Sequence, residues 1–314
     1  MRVLDLGGKP SAAVQPILPA APWRFGAPGP WLAPALVGLV LAAGCATITP
    51  PTPPPGVPEV RQPGFLPTSA LPNSLTLLPP PPAAGTAAMA ADQAAFRETR
   101  AYRGTPRWAL AASDAVLSFP AAPEAFSCTL DAPITAAATP HLYALLARSE
   151  SDAGAATRPA KNHYRRTRPF VVNHQGNCTP ADAAHLRTSW SYPSSHTTIG
   201  WTWALILTEL APERTDPLLS RGYAFGQSRV ICGVHWQSDV TAGRVLAAGV
   251  VARLHADPAF RAQVESARTE LAQVRAKGLR PTRDCQAEAA ALALNLNPGM
   301  AHAKAPSSPR NRPL

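Results

Sequence analysis

Residues Ser189–Leu210 read SWSYPSSHTTIGWTWALILTEL. A polar, proline-marked knot at Pro193, Ser194, Ser195 and His196 runs directly into a long apolar stretch, a junction that predicts a helix starting near His196. Serine at such a start caps the helix, a contribution of ~1 kcal/mol. The first amide N–H groups of that helix find no partner within it and face whatever lies ahead. Phosphate suits the position, through hydrogen bonds and the helix dipole together.

Outward from this stretch, helix signals recur. Thr139 and Pro140 read as N-cap and first helical residue before HLYALLARSESDAGAATRPAKNHYRRT, with Pro159 bending the segment and Pro169 halting it. Thr179 and Pro180 repeat the device before ADAAHLRT, and Asp257 and Pro258 repeat it before AFRAQVESARTELAQVRAK, which Gly278 stops. TAGRVLAAGVVARLHA is rich in Ala and Gly, which permits close helix packing. Strand-like alternation is scarce. The expected fold is all-α, a single helical-bundle domain over residues 66–278.

The flanks differ in composition. Of 314 residues, 46% are hydrophobic, enough for a sizeable core, but the chain also has 37 prolines, most densely in its first third. Arg2, Lys9 and Arg24 precede WLAPALVGLVLAAGC, whose ~14 apolar residues are short for a membrane span and suit a signal-peptide core. Residues 1–44 therefore read as an export signal, and Ala42, Ala43, Gly44 and Cys45 resemble a bacterial lipoprotein cleavage box with Cys45 as the lipid-bearing residue. The expected location is periplasmic or lipid-anchored at the outer membrane. Residues 45–65 are too proline-rich for a helix and read as an extended tether, and residues 279–314 read as a disordered tail. With Cys45 set aside, Cys128, Cys178, Cys232 and Cys285 form an even set compatible with two disulfides in any of three connectivities.

A formal charge of +10 fits an anionic partner. The basic residues show neither an aromatic ladder nor zinc-finger spacing, which argues against nucleic acid and for a small anionic substrate. Three segments carry the reactive side chains. In KNHYRRTRP, Lys161 and Arg168 stand seven apart, two helical turns, and can project from one helix face as a phosphate clamp. Arg165 and Arg166 read instead as a solvated basic face. In YPSSHTTIG, Ser194, Ser195 and His196 open the helix described above. In SRVICGVHWQSD, His235 and Asp239 have i, i+4 spacing, so on a helix the carboxylate orients one ring nitrogen and frees the other. Arg229 lies on a different helical face, and Gly233 offers the break that brings it to His235.

Lys161 with Arg168 and Pro169, then Pro193 to His196, then Ser228 and Arg229 with His235 and Asp239, resemble the three-part signature of the type 2 phosphatidic acid phosphatase and vanadium haloperoxidase superfamily. The flanking AKNHYRRTRPF, GQSRVICGVHWQSDV and RLHADPAF resemble the bacterial class A non-specific acid phosphatases. That resemblance implies a phosphomonoesterase acting through a phosphohistidine, with His235 as nucleophile, His196 as general acid and base, and Asp239 orienting His235. Lys161, Arg168, Ser194, Ser195 and Arg229 would hold the phosphoryl oxygens. It implies no metal and no other cofactor, a small phosphomonoester as substrate, and a homo-oligomer. Ser195 departs from the pattern, where relatives carry glycine. A vanadium-dependent haloperoxidase and a non-catalytic phosphate-binding envelope lipoprotein are the alternatives. A membrane lipid phosphatase would need several apolar spans that the catalytic region lacks.

Overall fold

A computed structural model of the chain describes residues 62–294. The signal segment, Cys45, all of the tether but its last residues, and the end of the tail lie outside that range. The described chain forms α1 (Ser74–Leu77), α2 (Ala87–Thr99), α3 (Pro106–Ser113), α4 (Ser127–Leu130), α5 (Pro140–Ala156), α6 (Arg158–Tyr164) and α7 (Pro169–Val172). It continues through α8 (Ala183–Thr188), α9 (Ser195–Leu210), α10 (Thr215–Ile231), α11 (Gln237–Leu254), α12 (Pro258–Ala276) and α13 (Cys285–Ala293). Among the described residues no strand forms, as the all-α expectation requires. No helix there is long and apolar enough to cross a membrane.

The axis of the bundle is α9. Its apolar side chains point in every direction, so it is stable only when covered on all sides, and α5, α10 and α11 cover it. Trp203 of α9 is fully buried among Phe119, Phe126 and Phe225, and its indole N–H donates to Leu146 O of α5 at 3.0 Å. Outside α5 lies α12, which is amphipathic and buries Phe260, Val264, Ala267, Leu271 and Val274, one residue per turn. On α11, a Cβ at Gly243 would stand 2.9 Å from Ser194 O and 3.0 Å from Thr197 Cβ. Only glycine lets α11 come that close to the first turn of α9.

Helix starts follow the proline signals, with local differences. Asp257 caps α12 by accepting from Phe260 N at 2.9 Å. At α5, Pro140 is the first helical residue, but the Thr139 hydroxyl turns to Thr135 N and Pro133 O. The open amides of His141 and Leu142 donate instead to Glu270 of α12, at 3.0 and 2.9 Å. Pro169 does not halt the preceding helix. That helix ends at Tyr164, because Arg165 takes a left-handed conformation (φ 46°), and Pro169 opens α7.

Beyond Gly278 the structure corrects the disordered reading as far as Leu294. Helix α13 forms there, joined to α4 by the Cys128–Cys285 disulfide. Its Glu288 meets the buried Arg221 of α10 at 3.2 Å, and Arg221 also pairs with Asp114 at 2.5 Å. Alanine-rich composition hid this helix because its stability comes from one cross-link and one buried ion network. The second disulfide, Cys178–Cys232, ties the loop after α7 to the end of α10. Closing a loop of 157 residues restricts the unfolded chain most, so Cys285→Ser is expected to lower the unfolding free energy by about 2–5 kcal/mol. Denaturant titration under non-oxidising and oxidising conditions checks it.

Candidate active site

The three sequence segments meet where α9 begins, α10 ends and α11 begins. Lys161 and Arg168 do come together, though not on one helix face. After Arg165 reverses the chain, residues 166–168 run extended, so alternate side chains share a side. Arg166 and Arg168 therefore point inward, while Arg165 and Thr167 are exposed. Residues 189 and 190 supply the acceptors. Lys161 Nζ donates to Trp190 O at 2.7 Å, and Arg168 donates to Ser189 O, Ser189 Oγ and Trp190 O at 3.1, 3.1 and 3.3 Å. The other arm of Arg168, Nη1, reaches Val234 O and His235 Nε2, both at 2.9 Å.

Ser194 is the N-cap of α9 and is fully buried. Its Oγ accepts from Thr197 N at 3.2 Å and from Thr197 Oγ1 at 3.0 Å, and its own N–H donates to Asp239 O at 3.0 Å. Its amide is thus committed to α11, and only its hydroxyl proton is left to offer a phosphoryl oxygen. Thr198 N is bonded to Ser194 O, so the open donors of α9 are the amides of Ser195 and His196. Ser195 is itself helical, and its Oγ sits 2.9 Å from Thr157 Oγ1. The side chain that replaces the expected glycine is accommodated by Thr157, and its amide stays directed off the helix end.

His235 is not on a helix with Asp239. It lies in the turn between α10 and α11, where Gly233 (φ +76°) reverses the chain and the amides of Val234 and His235 both fold back on Arg229 O at 3.1 and 3.2 Å. A Cβ at Gly233 would also strike the Arg100 guanidinium, which donates to Val230 O and Ile231 O at the end of α10, at 3.0 and 2.5 Å. Asp239 is the third residue of α11. Its Oδ2 accepts from Trp236 N at 2.8 Å and stands 3.4 Å from His235 Nδ1. The carboxylate holds the proton on Nδ1 and leaves Nε2, beside Arg168, with its lone pair. His196 Nε2 lies 2.8 Å from Ala115 O. A carbonyl only accepts, so Nε2 carries the proton and Nδ1 is the free ring nitrogen.

Burial dominates the electrostatics. It lowers Lys161 to about 7, with Arg168 adding to the effect and Asp239 opposing it. Burial and the neighbouring Arg168 lower Arg229 to about 9, and burial against the pull of Asp239 lowers Arg168 to about 10. His235 is held well below its usual value by burial and then by Arg168, Lys161 and Arg229, which keeps the imidazole neutral. His196 is lowered likewise, by burial and then Arg229. Burial raises Asp239, against Arg166, Trp236 N and Lys161. Arg229 is 2% exposed, yet its Nε and Nη1 have no hydrogen-bond partner among the described residues. A buried guanidinium with two uncommitted donors is costly unless an anion completes it.

Known proteins resemble this chain in sequence. The PAP2 superfamily pattern matches residues 137–262. The chain is 44% identical to the non-specific acid phosphatase of Providencia stuartii over 225 residues, 71% of this chain and 91% of that one. It is 42% identical to the acid phosphatase of Zymomonas mobilis over 209 residues, 67% and 79% of the two chains. It is also 44% identical to the non-specific acid phosphatase of Salmonella typhimurium over 214 residues, 68% and 85%. The chain belongs to the PAP2 superfamily, in the family of bacterial non-specific acid phosphatases.

In this PAP2 protein the sequence reading missed Arg166. Its side chain is 9% exposed and bridges Asp92 and Asp239 at 2.7 and 2.6 Å, so it is no solvated cation. The signal was present in the i, i+2 spacing to Arg168, which matters only once the chain is known to be extended there. Asp92, Arg100 and Ala115 carried no sequence signal, since their roles arise from packing.

Cations that repel one another are relieved by a bound anion. Sulfate at 100 times its dissociation constant should stabilise the fold by about 2.7 kcal/mol, a rise in melting temperature of about 5–10 °C. Burial brings Lys161 down to about 7, so it loses its charge as pH rises through that region and sulfate affinity should weaken with it. Lys161→Gln should flatten that dependence, and calorimetry across pH measures it.

Proposed function

We propose that this chain hydrolyses phosphate monoesters of broad range in mildly acidic solution, through a phosphohistidine on His235. The observation that carries the reading is Arg229, buried beside Arg168 with two donors that no group among the described residues takes up. The phosphoryl group would lie between Arg229, Arg168, Lys161, the Ser194 hydroxyl and the open amides of Ser195 and His196. His235 Nε2 would attack phosphorus while the ester O–P bond breaks, and His196 Nδ1–H would give its proton to the leaving oxygen. Asp239 would stabilise the positive imidazole. In the second step His196 Nδ1 would take a proton from water, whose oxygen displaces His235 and releases phosphate. An alcohol in place of that water would receive the phosphoryl group instead.

The two histidine shifts set the pH range. His235 must be neutral to attack, and its lowered pKa keeps it so in acid, where an ordinary imidazole is protonated. His196 must carry a proton, and its lowered pKa places that form on the acid side. A phosphate dianion among the cations opposes the depression of His196 and helps it hold the proton. Activity therefore falls as pH rises from the acid range toward neutrality.

The acid phosphatase names of relatives at 42–44% identity favour this reading over a haloperoxidase or a non-catalytic phosphate-binding lipoprotein. The proposal retains an exported, homo-oligomeric protein with Cys45 lipidated, at the periplasm or outer membrane. Pairing of the other four cysteines in two disulfides supports an oxidising compartment.

A general acid matters most when the leaving group is basic. His196→Ala is expected to lower kcat/KM on an alkyl phosphate about 10²–10⁴-fold, and far less on nitrophenyl phosphate, whose phenolate leaves without a proton. Steady-state kinetics on the two esters test the assignment; equal losses would contradict it.

A further inference from the structure

Arg166 and Asp92 stand one layer behind the groups that face the phosphoryl site. Arg166 Nη1 donates to Asp239 Oδ1 at 2.6 Å and to Ser238 Oγ at 2.7 Å. Its Nη2 donates to Asp92 Oδ2 at 2.7 Å and touches Met89 Sδ at 3.4 Å, and the guanidinium lies over the Trp236 ring. Asp92 comes from α2. Its Oδ1 accepts from Ser238 N at 2.8 Å and its Oδ2 from Ser238 Oγ at 2.5 Å, so it also holds the first turn of α11.

An arginine alone with a carboxylate takes both oxygens through its fork. In that geometry Oδ2 of Asp239 would be drawn to the guanidinium and away from the imidazole. Here the second arm is occupied by Asp92, and Arg166 binds Asp239 through Oδ1 alone. Oδ2 is left to Trp236 N and His235 Nδ1. The single-point attachment fixes the rotation of the carboxylate while its other oxygen stays with the histidine.

We propose that Asp92 and Arg166 are positioning residues for the nucleophile: Asp92 holds one arm of Arg166, so the other takes only Oδ1 of Asp239 and Oδ2 keeps the Nδ1–H of His235. The proposal rests on the reading of His235 as nucleophile. Its sharpest consequence is that loss of Asp92, far from the phosphate, strengthens the Arg166–Asp239 pair and yet weakens catalysis.

Asp92→Asn is close in size and keeps an acceptor for Ser238. It should lower kcat about 10–100-fold, as loss of an orienting outer group does elsewhere, with sulfate affinity unchanged. The downfield imidazole N–H resonance, assigned to His235 by its absence in His235→Ala, should shift. In an Asp239→Asn background Asp92→Asn should cost nothing more, because its proposed effect on catalysis passes through that carboxylate and Asn keeps an acceptor for Ser238. Arg166→Lys, whose single ammonium cannot hold two carboxylates in the same geometry, should show the same loss of kcat with sulfate affinity kept. It decides the matter if Asp92→Asn does not fold.

Wild-type kcat in a folded variant, parallel losses of kcat and sulfate affinity, or additivity with Asp239→Asn would each overturn the proposal. Turnover surviving His235→Ala would overturn the nucleophile reading itself. An inactive His235→Ala beside a fully active Asp92→Asn would overturn the positioning claim alone.

Discussion

Like charges repel most strongly where water is excluded, and this chain buries Lys161, Arg168 and Arg229 around one imidazole. Much of the surrounding structure answers that repulsion. The carbonyls of Ser189, Trp190 and Val234 take up donors of Lys161 and Arg168, and the carboxylate of Asp239 opposes the lowering of both. Arg229 is the cation left incomplete. A group of this kind is a standing cost to the fold, and it is recovered when an anion binds and most when charge grows on the reacting phosphoryl group.

Such a site needs rigid backbone on every side. The first turn of α9 supplies open amides only because Ser194 caps it and Gly243 lets α11 press against it. The turn bearing His235 is held from below by Arg100 on the last carbonyls of α10, by the Cys178–Cys232 bridge, and by Phe170 N on Gly233 O at 3.0 Å. Elsewhere around the site, Asp114 binds Arg221 and Ser228, next to Arg229 in sequence, while Ala115 O fixes the tautomer of His196. Helix α13 joins that network through Glu288. Buried ion pairs thus run from α13 through Arg221 to Asp114, and the next residue along the chain, Ala115, holds the ring of His196.

The fold was legible because its signals are local. Prolines at positions 140, 258 and 169 all open helices, and the apolar run after His196 is the buried axis. The residues of the candidate site were legible as a set, but the geometry inferred for them was not. Lys161 and Arg168 meet through a left-handed residue and an extended segment, and His235 and Asp239 meet across a helix start; helical periodicity explains neither pair. The rest was hidden for a physical reason. Arg166, Asp92 and Glu288 are charged residues whose burial depends on partners 67 to 146 positions away, and local pattern reads such residues as surface.

The central claim is that a neutral, carboxylate-oriented His235 carries the phosphoryl group between the two steps. Rapid mixing with a 32P-labelled monoester, followed by quenching in base, where phosphohistidine survives, measures this directly. The account predicts label on His235, at no more than one phosphoryl group per chain, and none in His235→Ala. Label on another residue, or rapid turnover with no labelled enzyme at any time, would contradict it.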